Sequence, residues 1–245
     1  VLWYDSELTL EDGQVASKTK DSGSAKERVA AMRAAEKRKE RMRWLVTLSV
    51  VAVIIAALAG GAVWAVNKSD ADKEKKAAKT QAERLKLGPP WSLPADPLAA
   101  AKKMGLEVAG MEGNVNHFHA HLDLFINGKP IAVPAQLGIG PSALSELHTH
   151  DTNGVLHVES SASHGSRSYT LGQVFQEWEV PLDATTIGQF KTDATHTLKV
   201  YVDGKEVTGD PAKVELVSHR EIALVYGTAA DKVTIPSTYK FAQGE

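Results

Sequence analysis

Two hydrophobic patterns divide this chain. Residues 45–66 are uncharged and predominantly apolar, whereas beyond Asn116 apolar and polar side chains alternate with a period of two. The first pattern is a run of 22 residues without a charge. As a helix rising ~1.5 Å per residue it spans roughly 33 Å, enough to cross a bilayer core. Trp44 and Trp64 lie near its ends, where aromatic rings favour the membrane interface. A buried core helix and a cleaved signal peptide, with Val63-Trp64-Ala65 as cleavage context, are the rival readings. The length of the run exceeds a usual signal core and favours an uncleaved anchor.

The second pattern predicts strands. Phe118, Ala120, Leu122, Leu124 and Ile126 form an apolar face; His117, His119, His121 and Asp123 form the opposite one. Asn127-Gly128 is a strong hairpin signal, and a two-residue turn there pairs Leu124 with Ile131 and Leu122 with Val133. Residues 198–205 repeat the pattern and the turn, with Thr195 and Thr197 in the places of His119 and His121. Between the two hairpins, Thr170 and Gln173 have capping-box spacing. Leu171, Val174, Phe175 and Trp178 follow at helical spacing, so Trp178 reads as core. A last strand is expected from Val214 to Tyr226. The fold class is therefore mainly β, a small sandwich or curled antiparallel sheet with one packed helix, preceded by a single transmembrane helix.

The flanking segments complete the organisation. Residues 1–25 are polar and aperiodic and read as disordered, with Val15 a candidate translation start. The Ala, Glu, Lys and Arg content of 26–43 predicts a helix leading into the apolar run, and 67–87 a helical stalk. The proline-rich stretch 88–97 reads as an extended spacer, followed by a short helix over 98–104. The expected division is a basic cytoplasmic tail (1–44), a transmembrane helix (45–66), a stalk and linker (67–111) and an extracytoplasmic β-rich domain (112–245).

Charge sharpens this division. Residues 1–112 carry a net +4 and residues 113–245 a net −6. An acidic domain is a poor nucleic-acid binder and a better home for cations. Arg38, Lys39, Arg41 and Arg43 crowd the N-terminal end of the span, which places the N-terminus inside and the C-terminal domain outside. With no cysteine, disulfides, thiolate metal sites and cysteine nucleophiles are excluded.

All nine histidines fall between His117 and His219. His117, His119 and His121 share one strand face. His148, His150, His157 and Glu159 share another in either register open to the 147–159 hairpin, a two-residue Asn153-Gly154 turn or a four-residue loop. Alternate strand residues lie ~6.7 Å apart, so His117 and His121, about 13 Å apart, cannot both meet one ion. The expectation is one first-row divalent ion held by His119 and His121 with His148, His150 and His157, His117 being the less secure member. Imidazoles without sulfur suit Zn²⁺ or Cu²⁺. Met104 and Met111 precede the sheet, which argues against a thioether-rich Cu(I) carrier. His164, in a Ser/Gly loop, and His196 read as exposed; His219 reads equally as a core histidine or a late ligand.

The runs His117-Phe118-His119-Ala120-His121-Leu122-Asp123, Leu147-His148-Thr149-His150-Asp151, Gly154-Val155-Leu156-His157-Val158-Glu159-Ser160 and Tyr169-Thr170-Leu171-Gly172-Gln173 resemble an uncharacterised family of membrane-anchored or secreted histidine-rich proteins of Gram-positive bacteria. The resemblance covers roughly residues 88–227. It implies an envelope location and no particular activity.

Three functions fit these residues. A metal-binding module would handle Zn²⁺ or Cu²⁺ at the outer face of the bilayer. A metal-dependent hydrolase or lyase would keep an open coordination position, with Glu146, Glu159 or Asp151 as acid–base candidate. An envelope adaptor would dock a protein partner and use the metal only for stability. No H-E-x-x-H, G-x-S-x-G or phosphate-binding glycine loop is present.

Overall fold

The computed structural model of the chain describes residues 20–245. The disorder expected for 1–25 and the start expected at Val15 lie outside the described residues, except that 20–25 open the first helix. Helix α1 (Lys20–Lys86) runs unbroken through the basic stretch, the apolar run and the stalk. Its flanks are rich in Ala, Glu, Lys and Arg, which lose little freedom in a helix and so carry it past both ends of the apolar run. Among the described residues it is the one helix long and apolar enough to cross a membrane, its most apolar 18-residue stretch having a mean hydropathy of 2.5. The chain divides into two compact units, one ending at Asp72 and the other spanning Lys73–Glu245.

In the second unit α2 (Ala99–Met104) precedes β1 (Val108–Ala109), β2 (Asn116–Ile126), β3 (Lys129–Ile131), β4 (Leu144–Ser145), β5 (Leu147–His148) and β6 (Val155–Ser160). Then follow α3 (Leu171–Glu177), β7 (Leu182–Asp183), β8 (Thr186–Ile187), β9 (Phe190–Lys191), β10 (His196–Val202), β11 (Lys205–Val207) and β12 (Glu221–Thr228). One seven-stranded sheet dominates, in the order β11-β10-β12-β2-β6-β5, with β3 also on β2. The domain is mainly β with small helices, as expected, but the sheet is mixed, because β12 runs parallel to β2. One edge of β2 is shared by β6 and β3. The strand returning antiparallel from β10 takes the free edge, in a direction that β10 dictates.

Both expected hairpin turns form. Asn127 and Gly128 have φ of 50° and 76°, and Asp203 and Gly204 have 50° and 78°, the positive pair that matches the twist of a two-residue hairpin. Leu124 pairs with Ile131 as anticipated; the ladder ends there, so Leu122–Val133 is not a strand pair, although Val133 is buried. The Thr170 N–H donates to Gln173 Oε1 at 2.8 Å, opening α3 as the capping box predicts.

The core lies on the face of the sheet that carries Ala120, Leu122, Leu124, Leu156, Val158, Val200, Ile222 and Leu224, covered by Leu171, Val174, Phe175 and Trp178. The expected spacer and domain boundary are corrected here. Trp91, Leu98, Ala101 and Leu106 are buried in the same body, so the packed unit begins well before residue 112. Trp91 meets Trp178 edge-on at 5.6 Å and accepts its indole N–H on the main-chain oxygen at 3.1 Å. Arg84, at the end of α1, donates to the Trp178 and Ser92 carbonyls and pairs with Glu179. Proline content marked the segment as irregular, which it is; long-range contact with Trp178 makes it core.

Replacing Trp91 by Ala should lower unfolding free energy by about 3–5 kcal/mol, the usual loss for a buried large aromatic. Chemical denaturation of the detergent-solubilised chain measures this, and an unchanged midpoint would return the segment to the status of a spacer.

Candidate metal centre

The site grows from strand register. His119 lies opposite His157 and His117 opposite Glu159 in the β2–β6 ladder, so alternation sends all four side chains to the face away from the core. β5 extends the row, with His148 opposite His157. Of the two registers open to the hairpin, the structure adopts the one with the longer loop. Gly154 closes that loop with φ 87°, and a Cβ there would stand 2.5 Å from the Leu122 carbonyl and 3.0 Å from His121 Nε2.

His148, His150 and His157 converge, one ring nitrogen of each lying within 4.8 Å of the others. His148 Nε2 and His150 Nε2 are 3.2 Å apart. A tetrahedral ion with bonds of about 2.0–2.1 Å holds its ligand atoms about 3.3 Å from one another, so this pair already has the needed spacing. His148 Nδ1 lies 2.9 Å from the Ser145 carbonyl, which can only accept; the proton is therefore on Nδ1 and a lone pair on Nε2. Burial lowers the His148 imidazole to about 4, with Glu159 pulling the other way. His157 Nδ1 donates to Glu159 Oε1 at 3.0 Å, the same orientation by an acceptor behind the ring. Clustered buried histidines and glutamates here could hold a metal ion.

Two carboxylates border these rings. Glu159 has only 3% of its side chain exposed, and its Oε2 is 3.8 Å from His148 Nε2. Burial acts to raise the Glu159 carboxyl, but the His157 hydrogen bond and the imidazoles packed around it outweigh burial and hold it below the usual range. Glu112, from the loop before β2, places Oε1 3.5 Å from His150 Nε2. That loop reaches the site because Gly113 presses against the Ser160 backbone, where a Cβ would collide. Glu112, Glu146 and Glu159 share a cavity of about 240 Å³.

The first histidine row divides differently from expectation. His119 pairs with His117, not with His121: Nε2 of His117 and of His119 lie 3.5 and 3.7 Å from Glu159 Oε1. Burial lowers the His119 imidazole, helped by His157 and His117. His121 stands apart. Its Nδ1 meets Glu221 Oε2 at 2.8 Å and its Nε2 the Asn153 carbonyl at 2.7 Å, while Tyr239 stacks on the ring at 3.7 Å. Burial opposes protonation, but Glu221, Asn153 and Asp123 together raise this imidazole. Its ligand-spaced neighbours are Asp123 and Glu221, and no such group joins it to His119 among the described residues. The parallel neighbour β12, which brings Glu221 opposite His121, is the cause.

Other residues also find their places. His164 is not merely exposed: Nδ1 lies 2.9 Å from Glu146 Oε2, and Glu107 joins them in a group compact enough for a cation. Arg167 and Tyr169 also reach that buried Glu146. His196 donates its main-chain N–H to the Asp193 carboxylate, which also lies 3.0 Å from its ring Nδ1, and His219 bonds the Glu245 carbonyl and packs on Phe241. Asp151 is exposed and belongs to none of the candidate metal groups among the described residues. Glu112 escaped sequence reasoning because it lies in an aperiodic loop; Glu159 was visible through alternation with His157. No family model, curated protein or solved structure matches the chain significantly, so the chemistry rests on this geometry.

The metal-stripped chain should lose stability on acidification. The His148 imidazole takes its proton near 6.5 when unfolded but only near 4 when folded, so its contribution is full above about 6.5 and declines as pH falls toward 4. His121, raised by folding, works in the opposite sense, its contribution being lost as pH rises through its folded value. For His148 alone the loss from pH 7.5 to 5 is about 2 kcal/mol. Urea unfolding at the two pH values should show His148→Phe flattening this slope; an unaltered slope would mean that His148 is not held neutral.

Proposed function

We propose that this protein is a membrane-anchored, extracytoplasmic binder of a first-row divalent metal ion, Zn²⁺ or Cu²⁺, and that it serves metal handling at the outer face of the bilayer. The 3.2 Å approach of His148 Nε2 to His150 Nε2 carries this reading. His157 completes the set, and carbonyl or carboxylate acceptors behind His148 and His157 supply the orientation that metal-binding imidazoles need. All-imidazole donors with carboxylate neighbours favour Zn²⁺ and Cu²⁺ over harder ions. Helix α1 supports the anchor, the basic cluster before the apolar run supports the orientation, and the motif resemblance to Gram-positive envelope proteins supports the location.

A second reading, a metal-dependent hydrolase or lyase, draws on the cavity of about 240 Å³ lined by Glu112 and Glu159 beside the imidazoles. Three protein nitrogens would leave a position for water or substrate there. The adaptor reading, with a structural metal, has the same ligands and no observation of its own.

Metal uptake tests the main reading. The full chain in detergent, exposed to Zn²⁺ or Cu²⁺ and desalted, should retain at least one ion. His148→Ala with His150→Ala should weaken that ion by more than about 100-fold, beyond the effect of losing an orienting partner. Retention of well under one ion by the wild-type chain would refute the reading.

The orientation has its own measurement. A protease added to intact protoplasts should remove a C-terminal epitope, and protection of that epitope with loss of an N-terminal one would reverse the topology.

A further inference from the structure

We infer that Glu159 bridges two metal ions, the second held by His117 and His119, so that the centre is dinuclear. This goes beyond the single-ion reading, and its two histidines lie on β2, apart from the histidines that carry that reading.

The two oxygens of Glu159 face two sets of nitrogen donors. Oε2 lies 3.8 Å from His148 Nε2, at the edge of the His148–His150–His157 group. Oε1 lies 3.5 Å from His117 Nε2 and 3.7 Å from His119 Nε2, and these three atoms form a second group of ligand spacing. Distances of this size are edges of a coordination polyhedron with bonds of about 2.0–2.2 Å, slightly expanded. The register enforces the arrangement: His117 is the direct partner of Glu159 and His119 of His157 across the β2–β6 ladder. The His119 and His157 rings are 4.4 Å apart, close enough for their ions to share one carboxylate. Carboxylate-bridged pairs of ions sit about 3.5–4 Å apart.

Glu159 gives an independent sign of a missing partner. It is almost fully buried, yet Oε2 accepts no hydrogen bond, an expensive state for a carboxylate oxygen. Its ion-pair partners among the described residues are all imidazoles, with no Lys or Arg in reach. The hydrogen bond from His157 Nδ1 to Oε1 is compatible with bridging, since each oxygen has two lone pairs. One cation on each side of the carboxylate would occupy the orphan oxygen and draw on all five imidazoles. His117, with 45% of its side chain exposed, is the ligand through which the second ion would meet solvent.

The test is stoichiometry and magnetic coupling in the full, detergent-solubilised chain. Titrated with Cu²⁺ and desalted, the wild type should hold two ions and give an electron paramagnetic resonance spectrum of two coupled Cu²⁺ centres. His117→Ala, at an exposed position that threatens folding little, should weaken one of the two ions about tenfold or more. His117→Ala with His119→Ala should leave one ion with an uncoupled spectrum, and so should His148→Ala with His150→Ala. Glu159→Gln should abolish the coupling. One ion in the wild type, unaffected by His117→Ala with His119→Ala, would overturn the second site and leave the first standing. No ion at all would overturn both. Two ions with isolated spectra in the wild type would overturn the bridge.

Discussion

The pairing of β2 with β6 is the constraint on which both core and site depend. In an antiparallel ladder, residues directly opposite one another point the same way, and their neighbours along each strand point the other way. Ala120 opposite Leu156 and Phe118 opposite Val158 therefore face the core, while His119 opposite His157 and His117 opposite Glu159 face outward together. A slip of one residue would bury imidazole and expose leucine in the same movement. The apolar face thus secures the position of the donors, and the donors need no packing of their own to stay in register.

Glu159 concentrates the electrostatic consequences. A buried carboxylate without a Lys or Arg must be compensated by hydrogen bonds, by imidazolium or by metal. The site leans against imidazolium, because burial lowers both His119 and His148. His121 shows the contrasting solution on the same strand face. There a carboxylate and a carbonyl take both nitrogens, and the imidazole is raised and locked to the loop that carries Asn153. Two neighbouring histidines of one H-x-H pair are thus set to different tasks by what lies across the sheet.

Legibility of the fold followed the range of the interactions. The Asn127-Gly128 and Asp203-Gly204 turns, the capped helix α3 and the long apolar helix are local, and composition with spacing was enough to find them. The insertion of β12 beside β2 was not visible, since strand order depends on which edge is left free when the chain returns. Trp91 was misjudged for the same reason: nothing in the proline-rich segment shows that Trp178 waits for it about ninety residues later. In the site, His148, His150, His157 and Glu159 were legible as one face. The partner of His119 was not, because geometry along a strand allows either neighbour and only Glu159 and Glu221 separate them. Glu112 and Glu107 come from segments without period, and the meeting of Glu146 with His164 and Glu107 depends on loop packing that no periodicity shows.

What the amino-acid order determined by itself is sidedness. Periods of two and of 3.6 place side chains on faces whatever the strand's neighbours are, so a helix long and apolar enough to span a bilayer, a half-buried sheet and a histidine-bearing face were present in the pattern alone. Tertiary structure decided partnership. Which strand lies beside which sets the row His119–His157–His148, gives Glu221 to His121 and brings Glu112 over His150. The reason is physical: a face is a property of one strand's own dihedral angles, whereas a coordination sphere requires atoms from several strands to meet within a few ångströms, and only the packed chain brings them there.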